Sequence, residues 1–418
     1  MNEIKCIYCN ESTNQSTNAL ANYCIQCGGK VPDTDLEALV SLYFKDGYTY
    51  NQILQFLSRL HGINISLRTL KTRLNQFGLH RRYQGNTNNL NLNAIIREES
   101  NGPRSLMGYR SMWHHLRSTR GVYVSRESVM LSMREIDPAA VNRRRNRRLI
   151  RRRYQSMGPD DCWHVDGYDK LKQYGFPIHG CIDGFSRKIL WLHLVKSNND
   201  PYTIADLFLN HVSITGVIPK RVRTDCGTEN GILAATQCYF RRNNIDEHAG
   251  VNVHLYGSSH SNQRIEAWWS CYRRSRSSYI INVFKDLVKS GDYNPDDNVE
   301  KACYIYCFSS LIQDDLNQCQ MHWNSHYIRK SQYSDVFGRP NYLYLFPGET
   351  YANQACEVLP ADLDEIKVYI DDWLEEDDDV YTEYFNYLCR ELNLIDFKTL
   401  QWNDAIEQFL LLLRYAKL

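Results

Sequence analysis

Three carboxylates sit where side chains of this type can do chemistry together. Asp166 lies inside the apolar run CWHVDGYDKL (Cys162–Leu171), Asp225 in KRVRTDCGTEN, and Glu266 near the start of a helical stretch, Gln263–Ser278. An aspartate in the middle of an apolar strand is unfavourable unless it is paired, hydrogen-bonded or bound to a cation. Gly227 lets the chain turn tightly beside Asp225. Hard oxygen ligands gathered at one sheet edge can hold two magnesium ions, which activate an attacking oxygen and stabilise the leaving oxygen of a phosphodiester. Taken singly, none of these carboxylates is specific, and any one is more often a cap or an ion-pair partner. Order, spacing and context carry the inference. Glu229 follows Asp225 too closely to close such a site easily, and Asp183 reads as the cap of a hairpin turn.

A second set of ligands is thiolate. Cys6 and Cys9 form one pair two residues apart, and Cys24 and Cys27 another, with fourteen residues between the pairs. Two such knuckles complete the tetrahedral shell that Zn²⁺ prefers, and four thiolates leave no open position for catalysis. A structural zinc ribbon over residues 1–32 is expected, since so short a segment needs the metal to fold. The remaining ten of the fourteen cysteines are scattered and read as buried small hydrophobes.

The elements that must position the carboxylates follow from periodicity. Cys162–Leu171 reads as a strand, Gly175–Val195 as a hairpin turning near Asp183-Gly184, and Lys220–Asn230 as a short strand ending in Asp225. Helical spacing covers Asn199–Val212 and Gly231–Asn243, and Val251–Tyr256 reads as a strand. An early hairpin followed by strands alternating with helices indicates an α/β fold, a mixed sheet with peripheral helices.

Upstream, residues 33–83 read as a helix-turn-helix. Leu36–Phe44 and Tyr50–Arg59 are amphipathic, Ser66 caps Leu67–Gln76, and Arg68, Lys71 and Arg73 face away from Leu67, Leu70 and Leu74. The same pattern recurs over 94–140, where Gly121 ends one helix and Ser125 caps the next. Residues 141–158 form an Arg-rich linker. Within it Arg143, Arg144, Arg145, Arg147, Arg148, Arg151, Arg152 and Arg153 repel one another and would be neutralised by phosphates, with steep salt dependence. Such a run also suits nuclear import. Arg273, Arg274 and Arg276 extend the Glu266 helix as a basic face. Trp268 and Trp269 read as buried against the sheet, with base stacking as the alternative. His164, His179 and His260 read as packing or solvent-facing, with proton shuttling as theirs.

The blocks WHVDGYDKL, HGCIDGFSRKILWLHLV, RVRTDCGTEN and SNQRIEAWWS, closed by WNSHYIRKSQYSDVFGRPNYLYLFP (Trp323–Pro347), resemble the retroviral-integrase and DDE-transposase superfamily. The resemblance spans roughly residues 160–347, and GYRSMWHHLRSTRGVYVSRESVMLSMREI resembles the helix-turn-helix preceding the core in many insertion-sequence transposases. It implies a ribonuclease-H-like core over 159–347, metal-binding catalytic residues at Asp166, Asp225 and Glu266, and Mg²⁺- or Mn²⁺-dependent DNA cleavage and strand transfer. Fifty-eight residues separate Asp166 from Asp225, and forty separate Asp225 from Glu266. The second gap exceeds the family's usual one and implies an insertion before the last helix. The proline and Asn-Gly that usually precede the glutamate are also replaced here, although Asn262 keeps the local shape.

Charge supports a polyanion partner. The net charge of +1 hides a segregation: Cys356–Glu383 carries −11, which leaves +12 on the rest. Residues 351–418 are expected to be an acidic helical appendage, either a solvated face or a dock for a protein partner. The expected function is DNA integration, with DNA and further copies of the chain as partners. The alternatives are a domesticated DNA-binding regulator with an idle core and a plain metal-dependent nuclease. No apolar run approaches the ~20 residues a bilayer crossing needs, and the first residues, MNEIKCIYCN, lack a secretory signal's apolar stretch. The expected location is the nucleus, or the cytoplasm of a bacterium.

Overall fold

The structure, a computed structural model, describes residues 3–5, 12–14, 22–23, 30–31, 36–80, 91–138, 154–257, 261–331, 334–374 and 380–417. Cys6, Cys9, Cys24, Cys27, His260 and Arg143 through Arg153 lie outside the described residues. The chain divides into two compact units, one of residues 1–159 and 321–353, the other of residues 160–320 and 354–418.

In the first unit, α1 (Leu36–Lys45), α2 (Tyr50–His61) and α3 (Leu67–Gln76) follow the apolar spacing of the sequence. Thr49 caps α2 in a reciprocal capping box with Gln52, and Gly62 ends it at φ 65°. Ser66 caps α3 by accepting from Thr69 N at 3.1 Å. Tyr43, Phe44, Ile53, Phe56, Leu70 and Leu74 are buried together, with Tyr43 stacked on Phe56 at 4.7 Å. Arg68, Lys71 and Arg73 are exposed on α3. A second core joins α4 (Leu92–Ser100), α5 (Tyr109–Ser118) and α6 (Arg126–Ile136) through Ile96, Met112, Leu116, Val129 and Met133. Ser125 caps α6, accepting from Ser128 N at 2.9 Å.

The second unit is built on a five-stranded mixed sheet. Its strands are β1 (Cys162–Tyr168), β2 (Ile178–Asp183), β3 (Ile189–Leu194), β4 (Arg221–Thr224) and β5 (His254–Tyr256), in the spatial order β5-β4-β1-β2-β3. The first three strands pair antiparallel, and β4 and β5 add parallel to β1. A parallel addition requires a crossover. Helix α7 (Pro201–Thr215) supplies one between β3 and β4, and α8 (Gly231–Phe240) the next. Asp200 caps α7, accepting from the backbone of Tyr202 and Thr203. Trp163, Val165, Ile182, Leu192, Ile204 and Phe208 are buried around the centre. β5 is shorter than its sequence suggests, because Gly250–Val253 forms a 3₁₀ turn first.

Helix α9 (Gln263–Tyr272) passes through a π-helical turn, Arg273–Ser277, into α10 (Ser278–Ser290). The 28-residue α11, Asn298–Ser325, follows, and neither it nor α10 is marked by any sequence motif. Three more helices, Pro360–Asp371, Val380–Glu391 and Trp402–Ala416, complete the unit. The acidic helix lies along α7 and α8. There Arg242 pairs with Asp362 at 2.8 Å, Tyr239 donates to Glu365 at 2.8 Å, and Trp373 stacks on Tyr202 at 5.5 Å. Among the described residues, no helix is long and apolar enough to cross a membrane.

Candidate active site

Asp166 stands in β1, the central strand of the sheet, opposite Gly180 of β2. Asp225 follows β4, the neighbouring parallel strand, as its first residue past Thr224. Glu266 lies in the first turn of α9. The sheet order therefore puts two carboxylates at adjacent strands, and a helix brings in the third.

Their proximity shows in the electrostatics. Burial pushes the Asp166 carboxyl up, the charges of Glu266 and Asp225 push it further, and it reaches about 8. Glu229 is absent from that pair of charges. It faces Asn230, whose side-chain amide donates both to Asp225 Oδ1 at 3.0 Å and to Glu229 Oε1 at 3.2 Å. Asp225 also accepts from Gly227 N at 3.3 Å. A Cβ at Gly227 would lie 1.9 Å from Glu229 Oε1, so a side chain there would have to displace that carboxylate.

Two side chains hold α9 in place. Asn262, buried just ahead of the helix, accepts from His164 Nδ1 at 2.7 Å and donates to the Val165 carbonyl at 2.8 Å. Both contacts fall on the residues just before Asp166. Burial keeps the His164 ring far below its usual range, at about 3, so it is neutral at physiological pH and Nδ1 carries the proton that Asn262 accepts. One turn beyond Glu266, Trp269 donates its indole N–H to Asp166 Oδ2 at 3.0 Å. Trp268 and Trp269 are buried, as the sequence leads one to expect. The hydrogen bond from Trp269 to Asp166 is the site feature that sequence reasoning misses, and the i, i+3 spacing of Glu266 and Trp269 is the signal that could have found it.

Asp183 does not face this cluster. Its oxygens accept from Asp160 N at 2.9 Å and from Ser186 N and Oγ at 2.7 and 2.6 Å, which closes the hairpin turn. His179 is buried and accepts from Trp191 Nε1 at 3.2 Å. Arg273 and Arg274 are exposed on the π turn. Arg276 departs from the basic face expected of it: it is fully buried and ion-paired with Asp315. A π turn adds a residue to the helical repeat, which swings Arg276 inward.

Among the described residues, no three His, Cys, Asp or Glu side chains stand as a ready-made metal cage. The donor set nonetheless suits a hard divalent cation: three carboxylates, one of them raised to about 8 by burial and by the charges of the other two.

Residues 153–341 match the family model described as integrase core domain. The chain carries an integrase core. The match supports membership of the retroviral-integrase and DDE-transposase superfamily, and the five-stranded mixed sheet with its covering helices fits the ribonuclease-H-like fold of such cores. Asp166, Asp225 and Glu266 all fall within the matched segment of the integrase core. A search of curated proteins found no match to the chain.

Proposed function

We propose that the chain is a DNA integrase or transposase that cuts and joins phosphodiesters with Asp166, Asp225 and Glu266 as its catalytic, metal-holding residues. What carries this reading is the placement of Asp166 on β1, Asp225 at the end of the adjacent β4 and Glu266 in the first turn of α9, where burial and the charges of Glu266 and Asp225 raise the Asp166 carboxyl. Three like charges brought together without a cation cost stability, and a divalent cation offsets that cost. Bound there, Mg²⁺ or Mn²⁺ would supply activation of the attacking oxygen and charge neutralisation at the scissile phosphate.

The protein's own residues do the positioning. Trp269 fixes which Asp166 oxygen faces inward, Asn230 orients Asp225, and Asn262 ties the Glu266 helix to the Asp166 strand. With the ligands so arranged, no covalent protein–DNA intermediate is required. Around this core, the helix pairs α2–α3 and α5–α6 suit DNA-reading helix-turn-helix units. The cysteines Cys6, Cys9, Cys24 and Cys27 suit a structural Zn²⁺ site. Arg68, Lys71, Arg73, Arg273 and Arg274, together with the arginines from Arg143 to Arg153, suit phosphate contacts, and assembly into homo-oligomers fits two-ended DNA joining.

The test is strand joining by the purified chain with Mg²⁺ or Mn²⁺. Asp166→Asn should abolish joined products and leave DNA binding close to wild type. Joining by that variant would remove Asp166 from the mechanism. Binding without any cutting by the wild-type protein would favour a DNA-binding regulator, and cutting without joining a plain nuclease.

A further inference from the structure

The first unit contains a cavity of about 240 Å³ that the catalytic reading does not use. Arg110, Arg126, Arg329 and Arg339 line it, as do His114, His322 and His326. Among the described residues, no aspartate or glutamate lines it. Gathering this many basic groups around one hollow without an acid raises the local potential, and an anion is the natural counterweight.

The wall and the rim differ in kind. Arg339 is 9% exposed and committed to the backbone, donating to the carbonyls of Asp46 at 3.0 Å, Gly47 at 2.6 Å and Ser325. His114 is buried and hydrogen-bonded to Ser325 Oγ at 2.9 Å. Arg339 gives the floor a fixed positive charge, with the neutral His114 ring beside it. Arg110, Arg126 and Arg329 are exposed at the mouth, and none of them takes part in an ion pair among the described residues. Arg126 lies over the Trp113 ring at 4.4 Å, in the first turn of α6, where the helix dipole adds to the positive potential. The ring of His114 reports this field. Burial drives its proton affinity well below the usual range, and the charges of Arg339, His326 and Arg117 lower it further.

We infer that this hollow is a phosphate-binding pocket that takes a backbone phosphodiester of the DNA on which the protein acts. The pocket deepens the reading under Proposed function and rests on it. The fixed charge of Arg339 holds a phosphate in register, and the exposed arginines at the mouth meet it with the planar, forked donors that suit phosphate oxygens. The aromatic edges of Trp113 and Tyr327 beside them suit the sugar and base that flank a backbone phosphate.

The experiment measures binding of the full chain to a mixed-sequence DNA duplex over a series of salt concentrations. In R110Q/R329Q the slope of log affinity against log salt should become shallower by about one or more, and affinity at low salt should fall roughly tenfold. R390Q/R414Q, which changes net charge equally on exposed positions of the other unit, should keep the wild-type slope. Both substituted positions in R110Q/R329Q are exposed, so wild-type melting is expected and is checked in parallel. Should that variant melt early, R329Q alone carries the same expectation at smaller size. An unchanged slope in a folded variant overturns the assignment. If inorganic phosphate raises the melting temperature of wild type but not of R110Q/R329Q while the DNA slope is unchanged, the pocket takes a free anion and the DNA assignment is likewise overturned. Failure of the catalytic reading looks different, because D166N would then join strands while the effect on the salt slope stood.

Discussion

The indole N–H of Trp269 meets Oδ2 of Asp166 at 3.0 Å, so the helix that brings Glu266 to the site also holds the carboxylate opposite it. The indole packs against Tyr168, with ring centroids 5.0 Å apart. Donation to a carboxylate favours its charged form, so removing the donor should move the Asp166 carboxyl above its present value of about 8. Trp269→Phe keeps a ring in the same space. It should lower strand joining by roughly ten- to a hundredfold, the usual cost of losing a group that orients a ligand. The low-pH limb of the pH–rate profile should also shift upward. A lower rate with an unmoved limb would make the tryptophan a packing residue only.

Gly180 lies across from Asp166 for a related reason. A Cβ there would sit 3.2 Å from Trp269 Cη2 and 3.3 Å from Leu192 Cδ1, tighter than side chains normally tolerate. Gly180→Ala therefore crowds Leu192 and the indole that holds Asp166, which have to give by a few tenths of an ångström. Destabilisation of about 1–3 kcal/mol is expected in denaturant unfolding, accompanied by loss of joining activity. Wild-type activity in a destabilised G180A protein would show that the indole can shift without disturbing Asp166.

Asn262 satisfies two buried groups at once, the His164 ring and the Val165 carbonyl. Asn262→Ala leaves both without that partner and should cost about 2–6 kcal/mol, at about 1–3 kcal/mol for each unsatisfied group. Asn262→Asp retains an acceptor for His164 and loses the donor to Val165, so it should fall between wild type and alanine. Equal stability of all three proteins would mean that α9 is held by its apolar contacts alone.

The three carboxylates together make a prediction about cation removal. The folded Asp166 carboxyl titrates near 8, above its ordinary 3.8, so the folded state binds the extra proton and stability falls as pH rises from about 4 through 8. In EDTA, D166N should melt above wild type at pH values past 8 and converge with it near pH 4. Adding Mg²⁺ should raise the wild-type melting temperature at pH 8 and leave D166N nearly unmoved. A Mg²⁺ response of equal size in both proteins would place the cation elsewhere.

How much of this was legible in the sequence depends on what each feature rests on. Asp166 could be seen because a charge inside an apolar run contradicts the burial its neighbours require, and Asp225 because Gly227 announces a turn. The cap at Ser66 and the hairpin turn at Asp183 came from short-range chemistry that sequence spacing records. What joins the site was hidden, since the bond from Trp269 to Asp166 spans 103 positions and that from Asn262 to Val165 spans 97. The inward turn of Arg276 was hidden as well. Its partner Asp315 is 39 positions away on α11, and ordinary helical spacing does not foresee a π turn. The basic cavity needs Arg110 and Arg329 together, and no local pattern links two arginines so far apart.

Acid should expose a different cluster, in the first unit. Burial alone would raise the Glu99 carboxyl, but the hydrogen bond and charge of His115, with Arg104 and Arg120, overcome it and hold the group down to about 2. His115 lies 2.8 Å away and Arg104 3.3 Å away, with Arg120 also in contact. A carboxyl depressed from an ordinary 4.5 contributes stability that is fully present above 4.5 and is lost as pH falls from there toward 2. Glu99→Gln should cost about 3 kcal/mol at pH 7, because it removes the buried anion that His115, Arg104 and Arg120 share. Denaturant unfolding at stepped pH should then show the gap between wild type and E99Q closing below about pH 4.5. A gap that stays constant from pH 7 to pH 3 would mean that Glu99 stabilises the α4–α5 junction by shape alone, with its charge contributing nothing.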